Sequence, residues 1–198
     1  RVLRALGLTE LLATGRPLES VSIDILGEAP IATLFFDDDA AWSPSLSLSA
    51  GGLLTGFKAA AAKDGVKMHL GRPVQSAWVE EERAYLSLGE GDNHDAWALV
   101  IADGARSSLR SPMGFQGRVE PTGVSWVWGV SEHRRRGGGL REILGPNHTR
   151  FISFPLDKER TGFYCTVPAG SWDRIRDDRL EEWIAGWQPF GDDAVACL

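Results

Sequence analysis

The stretch best equipped for chemistry is Leu99-Val-Ile-Ala-Asp103-Gly104-Ala-Arg106-Ser107-Ser108-Leu-Arg110. Its spacing predicts a strand that ends on an acceptor for a hydroxyl or a bound water, followed by a glycine where backbone approaches a ligand closely. Arg106 and Arg110 then supply positive charge for a phosphate or a carboxylate. In α/β sheets ligands gather beyond the carboxyl ends of strands, where N–H groups and loop side chains converge. The same residues also describe a plain reversal, in which Asp103 and Gly104 turn the chain and the arginines are solvated. Spacing alone leaves both readings open.

Other chemistry lacks its residues. The four histidines, His69, His94, His133 and His148, sit in polar or turn-like contexts with no G-x-S-x-G elbow, no cysteine partner and no zinc-ligand spacing. Gly51 to Lys58 approaches a phosphate-cradling loop, but Phe57 displaces the lysine and no Ser or Thr follows it. No G-x-G-x-x-G lies between a buried strand and a helix. Asp37-Asp38-Asp39 reads as a solvated loop, since adjacent side chains in extended backbone diverge and no second acidic motif accompanies them. His133-Arg-Arg-Arg136-Gly-Gly-Gly139, without interleaved aromatics, reads as a surface loop with a floppy triglycine. Metal catalysis therefore has no support.

The elements that position these residues follow from composition and periodicity. In 198 residues, 43% hydrophobic and 24% charged, there is enough apolar material for one domain or a little more. A net charge of −6 argues against general affinity for nucleic acid or anionic membrane. No apolar run approaches the roughly 20 residues that span a bilayer. Cys165 and Cys197 read as buried or half-buried thiols, and a reducing, cytoplasmic setting is expected. The chain opens on Arg1 inside a helical pattern and stops at Leu198 without a terminating signal, so both ends read as cut.

Val2 to Ala13 carries leucines on a helical rhythm that Gly15 closes, and Leu53 to Ala61 repeats that rhythm up to Gly65. Val21 to Ile25 and Ile31 to Phe36 read as two strands joined by a turn, with Val66–Leu70, Val74–Glu80 and Ala84–Leu88 as further short strands. Trp97 to Ala102 is continuously apolar, as a strand covered on both faces would be. Ser107 is placed to cap a short helical turn. Beyond Pro121, Val124, Trp126, Trp128 and Val130 share one face of a strand, and Phe151–Leu156 and Gly162–Val167 continue an aromatic, mostly antiparallel sheet. Leu180, Trp183, Ile184 and Trp187 fit a helix, with Asp178 and Glu181 spaced as a capping box. The expected class is α/β (α+β): residues 1–115 as one part, with an inserted strand region around 18–48, and 116–198 as an aromatic sheet and a helix.

Asp103-Gly-Ala-Arg-Ser-Ser-Leu-Arg110 resembles the D-G-x-x-S-x-x-R signature of FAD-dependent aromatic hydroxylases, single-component flavoprotein monooxygenases with a para-hydroxybenzoate-hydroxylase-like fold. The resemblance extends over nearly the whole chain, as an interior piece lacking the family's N-terminal G-x-G-x-x-G and C-terminal G-D motifs. It implies that residues 1–115 are a partial FAD-binding part and 116–198 the substrate-binding sheet. It also implies FAD, with NADH or NADPH as reductant and O2 as co-substrate, and oxygen transfer to a hydrophobic aromatic or polyketide-like compound. Because the cofactor carries the reactive chemistry, no catalytic side chain is expected. Asp103, Gly104, Arg106 and Arg110 would hold the cofactor, and Trp126, Trp128 and Phe154 would line the substrate pocket. The piece alone would bind FAD poorly. Ile101 stands where the family usually has glycine, and Gly51 where an arginine reaching toward FAD is common. These departures motivate an alternative on the same scaffold, a flavin-free ligand-binding or accessory protein, and a flavin-dependent halogenase or reductase sharing the fold is a further alternative.

Overall fold

A computed structural model of the chain describes residues 2–28, 30–36, 45–135 and 137–198. The Asp37–Asp39 triplet lies outside the described residues. In chain order the elements are α1 (Val2–Ala5), α2 (Thr9–Thr14), β1 (Arg16–Leu18), β2 (Ser20–Ile25), β3 (Pro30–Phe35), β4 (Ser45–Ser47) and α3 (Ala50–Lys63). Then come β5 (Ser76–Glu80), β6 (Arg83–Ser87), β7 (Asn93–Ala96), β8 (Val124–Ser131), β9 (Leu140–Leu144), β10 (Arg150–Pro155) and β11 (Thr161–Pro168). Three helices close the chain: α4 (Trp172–Asp178), α5 (Leu180–Ala185) and α6 (Asp192–Cys197). The fold is mixed α and β with mostly antiparallel sheets, and contacts divide it into two compact units, residues 1–65 with 122–198, and residues 66–121.

The larger unit is built on a six-stranded sheet in the order β3-β2-β9-β10-β11-β8. Every pairing is antiparallel except β2 with β9, which run parallel across more than 100 residues of sequence. The alternation read between Val21 and Phe36 thus delivers a real hairpin, and its strands join the C-terminal sheet. Val127, Cys165, Phe151 and Ile143 fall in one row on the back of the sheet by register. Trp187, Phe190, Ala194 and Cys197 cover that row and complete the core. Phe151, 1% exposed, stacks at 6.2 Å on Phe163 and at 5.6 Å against Trp187.

Local geometry amends several expectations. The first helix is broken in two by Gly7 at φ +70°, giving α1 and α2. α3 starts as expected from a cap, with Gly52 N–H donating to Ser49 Oγ at 3.0 Å, and ends before Gly65 at φ +75°. Within α3, Gly56 lies so close to Leu11 of α2 that an added Cβ would stand 2.2 Å from its side chain. The expected capping box does not form: Asp178 is the last residue of α4, and Arg179, at φ −141°, breaks the helix and donates to Glu182 instead. α5 ends at Ala185, which lets Trp187 turn inward beneath Phe151.

The smaller unit holds the antiparallel meander β5-β6-β7, with Trp78 and Tyr85 stacked at 5.3 Å across the first pair. Two expected strands are absent from it. Val66–Leu70 is irregular, and Trp97–Ala102, expected to be a strand buried on both faces, is irregular with Trp97 78% and Val100 86% exposed. A strand exists only through its ladder, and no described strand pairs with either segment. Polar β7, which periodicity did not single out, forms because β6 offers its second edge.

Both cysteines are free and buried, as their neighbours suggested. Burial pushes the Cys165 thiol from its ordinary 9 up to about 12. It raises Cys197 to about 11, helped by Asp193. A thiol whose folded pKa is raised favours folding less once the unfolded chain ionises, so stability is full below pH 9 and declines from there toward pH 11 or 12. Each thiol contributes at most about 1.4 kcal/mol per pH unit. Urea midpoints measured from pH 8 to 10.5 are expected to fall more steeply for the parent than for Cys165→Ala. Equal slopes would contradict this account.

Candidate functional site

The sequence-derived site residues fall in different units. In the smaller one, Asp103, Gly104 and Arg110 line a depression of about 330 Å3 together with Leu99, Ile101 and Phe115. Arg106 is exposed and does not line it. Gly104 has φ +90°, a conformation that favours glycine, and a Cβ built there meets nothing within 4 Å. Its backbone is therefore open to a close-lying ligand. Ser107 caps the following turn as expected, accepting from Arg110 N–H at 3.1 Å, but successive turns replace a regular helix. Arg110 Nη2 donates to the Gly104 carbonyl at 3.0 Å. The last arginine thus braces the corner it was expected to serve as a free cation.

In the larger unit, register places Trp126, Trp128 and Val130 of β8 on the front of the sheet, opposite the covered back. Tyr164 of β11 and Phe154 of β10 share that front by the same register. Tyr164 stacks on Phe154 at 5.8 Å and meets the edge of Trp126 at 6.4 Å. Trp128 is 69% exposed. The three expected lining residues are therefore on one face, and Tyr164 joins them.

Arg150 is a functional candidate that the sequence reading missed. Its guanidinium lies 5.6 Å from the Trp126 ring centre, a cation–π distance, and its Nε donates to Glu142 Oε1 at 2.7 Å. Its own N–H donates to Thr166 Oγ1 at 2.9 Å, and Thr166 Oγ1 in turn donates to the His148 carbonyl at 3.1 Å. Trp126, Arg150, Thr166 and His148 border a depression of about 590 Å3 at the Leu144 end of the front face. Next to it Asn147 and His148 both hold positive φ, at 54° and 62°, a strained pair for residues other than glycine. The available signal was an arginine opening an otherwise apolar strand, Arg150-Phe-Ile-Ser-Phe.

The arrangement offers an aromatic floor for a planar apolar ligand and a half-exposed guanidinium at one end for a polar substituent. The corner at Gly104 leaves its backbone open, with the Asp103 carboxylate beside it as an acceptor for hydroxyl groups. Among the described residues no group of three or more His, Cys, Asp or Glu could hold a metal ion, and no helix is long and apolar enough to cross a membrane.

No protein-family model matches the chain, and no curated protein does. Solved structures do. PqsL from Pseudomonas aeruginosa, described as a probable FAD-dependent monooxygenase, superposes on 100% of the chain with a TM-score of 0.78 at 18% identity. HpxO from Klebsiella pneumoniae, solved with FAD and uric acid, matches 99% of the chain with a TM-score of 0.75 at 20% identity. The myxobacterial chondrochloren halogenase CndH, an FAD-dependent halogenase, matches 93% with a TM-score of 0.70 at 18% identity. The chain spans 57%, 53% and 46% of these proteins respectively, about half of each.

Proposed function

From a chain that carries about half of the fold of FAD-dependent monooxygenases, we propose that it forms part of an FAD-dependent monooxygenase that uses NADH or NADPH and O2 on a hydrophobic aromatic or polyketide-like compound. The observation that carries this reading is the asymmetry of the large sheet. Its back is sealed by Trp187, Phe190 and α6, while its front presents Trp126, Trp128, Tyr164 and Phe154 with Arg150 at one end.

Residues 1–115, apart from the β2–β3 hairpin, then belong to the cofactor part, and the sheet of 116–198, which that hairpin widens, to the substrate part. Asp103 and the Gly104 backbone would hold the cofactor, Arg110 would keep Gly104 in place, and Arg106 would meet it from solvent. Bound flavin supplies O2 activation and oxygen transfer. The chain's own residues orient and desolvate the substrate: the aromatic front stacks against its ring plane, and Arg150 pairs with a carbonyl, phenolate or carboxylate.

The test is FAD binding by the full-length protein, followed by substrate-stimulated oxidation of NADH or NADPH. Trp128→Ala is expected to change folding stability by less than about 0.5 kcal/mol, because its side chain is mostly in water. It is expected to weaken aromatic substrate binding about tenfold, the loss of roughly 1.4 kcal/mol of ring contact. A folded full-length protein that takes up no flavin would overturn the reading. Gly51, with nothing within 4 Å of its missing Cβ, and Ile101 in the wall of the corner favour a flavin-free ligand-binding protein as the second reading. Aromatic-ligand binding without flavin would select it, and halogen in the product would select a halogenase.

A further inference from the structure

Arg135, Gly138 and Gly139, in the run after His133, are tied to neighbouring strands, where composition suggested a floppy loop. Thr161 Oγ1 donates to the His133 carbonyl at 2.6 Å and accepts from Arg135 N–H at 3.2 Å, which pins the start of the run to β11. Further on, Gly138 N–H donates to Glu19 Oε2 at 3.2 Å. The glycines are demanded by packing: a Cβ at Gly138 would lie 2.2 Å from the Glu19 carboxyl carbon, and one at Gly139 would lie 2.3 Å from Ser20 Oγ. Arg134, Arg135, Gly137 and Gly138 form one wall of a depression of about 500 Å3 that Arg16 and Glu19 also border.

The depression is short of negative charge. Three guanidinium groups face one carboxylate, and that carboxylate is turned to the Gly138 N–H. Arg135 spends Nη1 on two neutral carbonyls, Gly139 at 2.5 Å and Ser153 at 3.2 Å. Burial lowers its pKa, as does Arg141 close by, while Asp193, Cys197 and Asp24 pull it the other way. Arg16 Nε is buried with no hydrogen-bond partner. An unsatisfied buried donor and an excess of arginine over carboxylate in the lining are both answered by a dianion with several acceptor oxygens.

We propose that this depression binds a phosphate monoester, held by Arg16, Arg134 and Arg135. A monoester's second pKa near 6 makes it a dianion at pH 8, matching the excess charge, and guanidinium forks pair with its oxygens bidentately. The site is independent of the flavin reading. Its phosphate belongs either to a nucleotide or to a simple organic ester, and the chemistry at the arginines is the same.

The test is calorimetric titration of the full-length protein with 2′-AMP and with glycerol 3-phosphate at pH 8 and low salt. Saturable one-site binding is expected for at least one, weakened tenfold or more in Arg134→Gln and in Arg16→Gln, and weakened at pH 5 where the ester is a monoanion. Tighter binding of 2′-AMP assigns the nucleotide source, and equal or tighter binding of glycerol 3-phosphate the simple ester. Arg134 is exposed and without a described partner, so its variant is expected to keep the parent's circular dichroism. Three results would overturn the proposal: no saturation with either ester, equal affinity in both variants, or adenosine binding as tightly as 2′-AMP.

Discussion

Phe151→Ala is expected to remove about 3–5 kcal/mol of folding stability, the usual cost of deleting an aromatic side chain from a closed core. Phe151 is 1% exposed and touches three parts of that core: Phe163 on the neighbouring strand, Trp187 after α5, and the Cys165 row. Against the about 5–15 kcal/mol typical of a domain, such a loss brings the protein close to unfolding at room temperature. Urea denaturation measures it directly. Phe154→Ala is the control, because Phe154 lies three residues on, on the open front face, and its loss should cost less than half as much. Similar midpoints for the two variants would mean that the two faces of the sheet are not as different as described.

The second large effect concerns a charge on the covered side. Asp24 of β2 is 4% exposed, and Arg141 of β9 donates to its Oδ2 from Nε at 2.5 Å. Its other oxygen, Oδ1, is buried without a partner. Arg141→Met is expected to cost about 3 kcal/mol, because it strands a carboxylate in a place that water reaches poorly. Relief of Arg135 from a like charge offsets a small part. Replacing both members, Asp24→Leu with Arg141→Met, is expected to recover more than half of the loss, since two apolar side chains need no compensation. A double-mutant cycle separates the pair from the positions. Additive losses would show that the ion pair does not couple β2 to β9.

The periodicity of the aromatic strands carried furthest. Alternation at Val124–Val130, Phe151–Leu156 and Gly162–Val167 located β8, β10 and β11 to within two residues. It also placed Trp126, Trp128 and Phe154 on a shared face. The Ser107 cap and the glycine at the Asp103 corner were legible because both are local: a hydroxyl reaches an N–H three residues on, and only glycine adopts φ +90° without strain. β9 was missed, since Leu140-Arg-Glu-Ile-Leu reads as a polar stretch until β2 and β10 occupy its two edges. The opposite error fell on Trp97–Ala102, where apolar residues announced a buried strand that no described strand pairs with. Arg150 escaped notice because nothing within its strand places Trp126 beneath it or Glu142 beside it.

By itself, then, the sequence determined which residues alternate, which turns need glycine and which thiols are buried, because these are set by neighbours within a few positions along the chain. Tertiary structure alone decided that β2 lies parallel to β9, that one aromatic face stays open while the other is sealed, and that Arg16 meets Arg134 and Arg135. Such meetings join residues tens to more than 100 positions apart. They follow from the pairing free energy of whole strands and from the entropy of closing long loops, and no short window of residues carries either quantity.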